Sequence, residues 1–250
     1  MSDLVLRQDD EGLATLVLNR PEKLNALNVE VFKDLRAHVD LLAQQTDTIG
    51  LVVLRGAGKC FSAGHDLADL AEGENLPSPN FQAETIECLA NLPQPIISAV
   101  HGHCYTGALE LALAGDLIFA SESAKFADTH AKWSVTPIWG MSQRLPRRVG
   151  LSRAREMMLT GRTYRGQAAL AMGLVNFCVA DETFEGELAK LTGEMLALSW
   201  HSHRANKRLL RETDGMALGE GLRHEIEHTA GVGPDMQTRI DGFMSKGKSG

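Results

Sequence analysis

The stretch PIISAVHGHCYTGALELALAGDLIFAS, residues 95 to 121, decides the fold class. Ile96 to Val100 is a short apolar run of the kind that forms a strand buried on both faces. It passes through the glycine-bearing loop HGHCYTG into ALELALAG, an apolar segment of good helix formers, and Leu117 to Ser121 follows at once as a second buried strand. Strand, glycine loop, helix, strand is an α/β pattern.

The flanking sequence extends that pattern. Residues 3 to 19 read as a hairpin around DDEG, and NRPEKLNALN turns the chain into a helix with Asn28 at its N-cap. That helix presents Val31, Phe32, Leu35, Val39 and Leu42 on one side, and IGLVVLRG (49 to 56) is another buried strand. From about residue 183 the strands end and four helical segments follow, which divides the chain into a core of residues 1–190 and a helical extension of residues 191–250.

Composition excludes several classes. The chain has 250 residues, of which 44% are hydrophobic and 23% charged, values ordinary for a globular protein. A net charge of −7 offers no field to hold a polyanion, so nucleic acid is not an expected partner. The basic segments around Arg144–Arg155 and in HRANKRLLR (203 to 211) read as solvated helix faces. Cys60, Cys88, Cys104 and Cys178 form no CxxC pair and read as free thiols. With no secretory pattern and no run of 18 apolar residues, a cytoplasmic protein without a membrane partner is expected.

Two loops that follow buried strands are rich in small residues: GAGKCFSAGHDL (56 to 67) and HGHCYTGALEL (101 to 111). In parallel sheets such loops lie where ligands bind, and small residues let a ligand approach backbone N–H groups, so the pair can form an oxyanion hole or simply permit close packing. Glu110 is the one charged residue in an otherwise apolar helical turn. Buried there, it is a candidate general acid or base; the alternative is an acid compensating its own helix N-terminus.

Nucleotide fingerprints fail, because GAGKCF has Phe61 where the last glycine of GxGxxG belongs and no P-loop exists. HEIEH (224 to 228) matches a zinc-protease pattern formally. Leu218, Leu222 and Ile226, however, form the apolar stripe of that helix, both histidines turn away from it, and no third ligand follows, so no metal site is expected.

The two loops, Glu110 and three further segments together resemble the enoyl-CoA hydratase/isomerase, or crotonase, superfamily. The segments are LVLNRPEKLNAL (16 to 27), GKCFSAGHDL (58 to 67), residues 93 to 121, SQRLPRRVG (142 to 150) and LTGRTYRGQAALAMGLVN (159 to 176). The resemblance implies an α/β spiral of strand–strand–helix units with a C-terminal helical oligomerisation region that builds homotrimers or dimers of trimers. It implies an acyl-CoA thioester as substrate and no cofactor, coenzyme A being part of the substrate. It places the oxyanion-hole N–H groups at His65 and Gly107, the first catalytic glutamate at Glu110, and contacts to coenzyme A at Lys23, Leu24, Ala63, Asp66 and Leu67.

Where hydratases of the family usually carry a second glutamate, this chain has His130, in KFADTHAKW (125 to 133). With a reference pKa near 6.5, a histidine can replace that acid/base or can simply line the pocket. Asp128 is a further candidate, on the same side as His130 if the strand through Phe126 persists. The reading is an enoyl-CoA hydratase. Alternatives are another reaction at the same enolate hole (isomerase, decarboxylase, thioester hydrolase or lyase) or a non-catalytic acyl-CoA-binding member. The acyl chain would be bounded by AEGENLPSPNF (71 to 81), Trp133 and Trp139.

Overall fold

A computed structural model of the chain describes residues 3–246. Strands β1 (Val5–Asp10) and β2 (Leu13–Leu18) form the expected hairpin, and β3 (Leu51–Gly56), β4 (Ile96–Val100), β6 (Leu117–Ser121) and β9 (Phe177–Val179) continue the sheet. The order is β1-β2-β3-β4-β6-β9, antiparallel at the first pair and parallel thereafter. Alternation along β3 shows why its first four residues, Leu51 to Leu54, are all apolar. Val52 and Leu54 enter the main core, whereas Leu51 and Val53 meet Phe184 and Leu188 of α7 (Phe184–Leu196) on the opposite face.

A second layer holds β5 (His103–Tyr105), β7 (Lys125–Ala127) and β8 (Tyr164–Arg165). Single bridges extend it: Ser62 pairs with Cys104, and Leu27 with His65. Each of β2, β3, β4 and β6 therefore runs in the large sheet, contributes a short extended segment to the small one, and then turns into a helix or helical turn. This is the expected spiral of strand–strand–helix units. Asn28 caps α1 (Val29–Leu42) by accepting the Val31 N–H at 3.1 Å, and the apolar side of α1 is buried.

Beyond α7 come α8 (Trp200–Glu212), α9 (Leu218–His228) and α10 (Met236–Lys246), so the C-terminal region is helical as expected, and residue 190 lies inside α7. The basic segment of α8 is not a free solvated face. Lys207 is buried against Asp116 (2.8 Å) and the Gln94 carbonyl (3.0 Å), and Arg204 and Arg211 donate to the carbonyl of Thr46 and the side chain of Asn91. The stripe of α9 also departs from expectation, since Leu218, Leu222 and Ile226 are all exposed on the single chain. A helical period predicts a face that needs cover, and none of the described residues covers this one. No described helix is long and apolar enough to cross a membrane.

Candidate active site

The site begins at a strained residue. Thr106, the last residue before α4 (Gly107–Ala112), has φ 53° and ψ −111°, a conformation unfavourable for a residue with a Cβ. The second layer holds it there: its N–H donates to the Ala127 carbonyl (2.8 Å), and its hydroxyl lies 2.5 Å from that of Thr129 and accepts the Thr129 N–H (3.1 Å). The turn points α4 inward and brings Glu110 to the floor of a cavity of about 750 Å³, with only 1% of the residue exposed.

Glu110 does not serve its own helix N-terminus. Its Oε1 accepts the N–H groups of Trp139 (2.9 Å) and Met141 (3.0 Å), at the start of α5 (Met141–Thr160). Those two donors satisfy one carboxylate oxygen of a group that would otherwise be costly to bury. The other, Oε2, lies 3.5 Å from His130 Nε2.

His130 arrives by a route that strand alternation does not describe. β7 ends at Ala127, where the Thr129–Thr106 bonds turn the chain, and His130 opens a short 3-10 turn, His130–Trp133. Asp128 and His130 nevertheless meet, because the Asp128 Oδ1 accepts both the His130 backbone N–H (3.0 Å) and the ring Nδ1–H (2.6 Å). Asp128 is 1% exposed and His130 8%. Burial disfavours the imidazolium, but hydrogen bonds and charge from Asp128 and Glu110 outweigh it and raise the His130 pKa from 6.5 to about 9. At neutral pH His130 thus keeps its proton, with Nε2 3.5 Å from Glu110 Oε2.

The backbones of the two small-residue loops touch beside this pair. Gly64 has φ +103°, and a Cβ there would stand 2.5 Å from the Tyr105 carbonyl oxygen. A Cβ on Gly107 would stand 2.4 Å from the Trp139 ring and 3.4 Å from the His65 nitrogen. Only glycine permits this approach. The N–H groups of His65 and Gly107 donate to no acceptor among the described residues. Two unspent backbone donors next to a buried carboxylate and an imidazolium are equipped to hold an oxyanion while a proton moves nearby.

Of the residues expected at the site, Lys23, Ala63, His65, Asp66, Leu67, Gly107, Glu110 and His130 line the cavity. Leu24 does not. Its side chain is exposed and its carbonyl accepts the Ala63 N–H at 2.9 Å, so it braces the loop from behind. The Asp66 carboxylate is committed to Arg20 (3.1 Å) and to the Ala68 N–H at the start of α2 (Leu67–Glu72). Glu74, within the 71–81 segment expected to bound the acyl chain, also lines the cavity, as do Gln82, Thr106 and Thr129, which the sequence does not single out. Glu72 and Glu74 in the 71–81 segment carry no periodic signal, and the threonines become meaningful only once β5 and β7 are paired. The HEIEH histidines stack on each other at 4.0 Å, with His224 on Glu212 (2.9 Å), and no group of three or more metal-ligating side chains gathers among the described residues.

A family model described as enoyl-CoA hydratase/isomerase matches residues 8–248. The chain belongs to the enoyl-CoA hydratase/isomerase family. It is 37% identical to a probable enoyl-CoA hydratase of Rhizobium meliloti (strain 1021), over 98% of this chain and 96% of the relative. It is 31% identical to the 1,2-epoxyphenylacetyl-CoA isomerase of Escherichia coli (strain K12), over 98% and 97%. The crystal structure of enoyl-CoA hydratase from Bacillus anthracis superposes with a TM-score of 0.90 at 29% identity, covering 97% of this chain and 96% of that one. As an enzyme of this family, the protein has the crotonase fold and the acid-bearing cavity described above.

Proposed function

We propose that the protein is a hydro-lyase that adds water to a trans-2-enoyl-CoA. The observation that carries this reading is the arrangement of Glu110 Oε2 3.5 Å from the protonated His130 ring, beside the unpaired N–H groups of His65 and Gly107. In the forward direction Glu110 takes a proton from water, and the oxygen bonds to the β-carbon. The electron pair of the double bond moves through the α-carbon onto the thioester oxygen, which the two N–H groups hold as an enolate oxyanion. His130 Nε2–H then delivers its proton to the α-carbon as the carbonyl re-forms. Glu110 is left protonated and His130 neutral, and one proton passing back across the short gap between them restores the starting state.

Lys23, which lines the cavity with Ala63 and Leu67, is suited to the coenzyme A moiety, and Lys132 is a second cation in the lining. Coenzyme A enters as part of the substrate, and no other cofactor is proposed. The uncovered side chains Leu159, Leu210, Leu218, Ile226 and Phe243 support assembly into a homotrimer or a dimer of trimers, and free cysteines support a cytoplasmic location.

A second reading is supported by the same 3.5 Å spacing. Without water, an acid and a base so close can shuttle one proton between two carbons and move a double bond. Glu110→Gln separates function from scaffold: hydration of short enoyl-CoA should fall by about 10²- to 10⁴-fold. An undiminished rate sinks the proposal, and a displaced double bond in place of a 3-hydroxyacyl product favours the second reading.

A further inference from the structure

The backbone of His65 is pinned along one edge only. The Gly64 carbonyl accepts the Leu27 N–H and the Asp66 N–H donates to the Leu27 carbonyl, both at 2.8 Å. In such an extended pairing the His65 N–H falls on the opposite, unpaired edge. Two further groups hold the His65 side chain. Its ring Nε2 donates to Glu74 Oε1 at 2.8 Å, the one hydrogen bond the ring makes among the described residues, and the Trp139 ring lies against it with centroids 4.7 Å apart.

Glu74 is itself held in place. It projects from the loop between α2 and α3 (Phe81–Ala90) with its carboxyl 10% exposed, and Gln82, buried in the first turn of α3, donates to the same Oε1 at 2.8 Å. The helix thereby fixes the carboxylate, and the carboxylate fixes the ring. Trp139 carries the contact onward: its ring lies 2.4 Å from where a Cβ on Gly107 would stand, and its backbone N–H donates to Glu110 Oε1 at 2.9 Å. The His65 ring therefore ties both unspent N–H groups and Glu110 to one hydrogen bond from a loop. A donor stabilises a developing oxyanion only where its direction is fixed beforehand. Pairing along one backbone edge leaves the His65 N–H free to pivot, and a grip on the side chain removes that freedom.

Resting on the acyl-CoA reading above, we infer that Glu74 is a positioning residue: through the His65 ring it holds the oxyanion hole in register with Glu110.

Kinetics and a spectrum taken without turnover test this together. Glu74→Leu and Glu74→Ala remove the acceptor, whereas Glu74→Gln keeps an accepting oxygen; each is checked for a native melting profile. With crotonyl-CoA, removing the acceptor should lower kcat about tenfold with little change in KM, short of the about 10²- to 10³-fold cost of losing a hole donor outright. Glu74→Gln should recover most of that loss. In a His65→Ala background, Glu74→Leu should add no further loss, because the carboxylate has no ring left to hold. The infrared band of bound butyryl-CoA, labelled with carbon-13 at its thioester carbonyl, reads the hole without a reaction. It should lie lower on wild type than in free butyryl-CoA, and Glu74→Leu should reverse part of that shift. An unchanged kcat, a change confined to KM, no recovery in Glu74→Gln, a full further loss in the His65→Ala background or a band that Glu74→Leu leaves in place overturns the positioning role. If wild type lowers the band but does not hydrate crotonyl-CoA, the hydration reading fails while the band still decides the role of Glu74. A wild-type band that is not lowered overturns the oxyanion hole and the positioning role together.

Discussion

Replacing Asp128 with asparagine removes the charge 2.6 Å from His130 Nδ1 and keeps an oxygen for the His130 backbone N–H. The wild-type ring holds its proton to about pH 9 against an ordinary value of 6.5. As the proton donor to the α-carbon, it should keep kcat/KM level up to that point, with an alkaline decline above it. In Asp128→Asn the decline should begin earlier. If the ring returned fully to 6.5, its protonated fraction would fall about 4-fold at pH 7 and about 75-fold at pH 8.5. Glu110 remains as a partner, so these figures are ceilings, and the loss must grow with pH. The assay follows disappearance of the enoyl chromophore across pH 6 to 10 in both proteins. An alkaline limb that stays near pH 9 in the variant refutes the assignment of His130 as the acid held charged by Asp128. A loss equal at every pH points instead to simple misplacement of the ring.

The same ionisation sets a stability window. His130 has a higher pKa folded than unfolded, so its contribution is complete below about pH 6.5 and lost as pH rises through about 9. The Tm advantage of wild type over His130→Gln should therefore shrink across that interval, and a constant difference contradicts the charge assignment. Gly107→Ala forces a methyl into the Trp139 ring, 2.4 Å away, and displaces the N–H beside it. It should cost about 10²- to 10³-fold in kcat with a smaller change in KM; a near-wild-type kcat would remove Gly107 from the oxyanion hole. The double variant Leu218→Glu/Ile226→Glu charges the exposed stripe of α9. By light scattering after gel filtration it should lose the homo-oligomer proposed for the wild type, and a monomeric wild type would contradict the role given to that stripe.

Much of this was legible before the structure because single residues broke local rules. Glu110 stood out as an acid among alanines and leucines, and it is buried at the cavity floor. Gly64 and Gly107 marked two loops whose backbones meet, as the distances to Tyr105 and His65 show. Other features depend on contacts between segments far apart in sequence. The partner of Glu110 is the start of α5, some thirty residues on, where N–H groups carry no side-chain signature. Strand periodicity put Asp128 and His130 on one side for the wrong reason: β7 stops at Ala127, and a turn set by Thr106 and Thr129 makes the contact. The stripe on α9 was read correctly as apolar, but a period of 3.6 says only that a face needs cover and not which molecule supplies it.

The central claim is that this carboxylate and imidazolium add water across a conjugated thioester. It is tested most directly by incubating the enzyme with crotonyl-CoA in heavy-oxygen water and identifying the product by mass spectrometry. The account predicts 3-hydroxybutyryl-CoA carrying the heavy oxygen on its hydroxyl, formed by wild type and lost in Glu110→Gln. Free coenzyme A, a shifted double bond or unchanged substrate from the folded wild-type enzyme would contradict it.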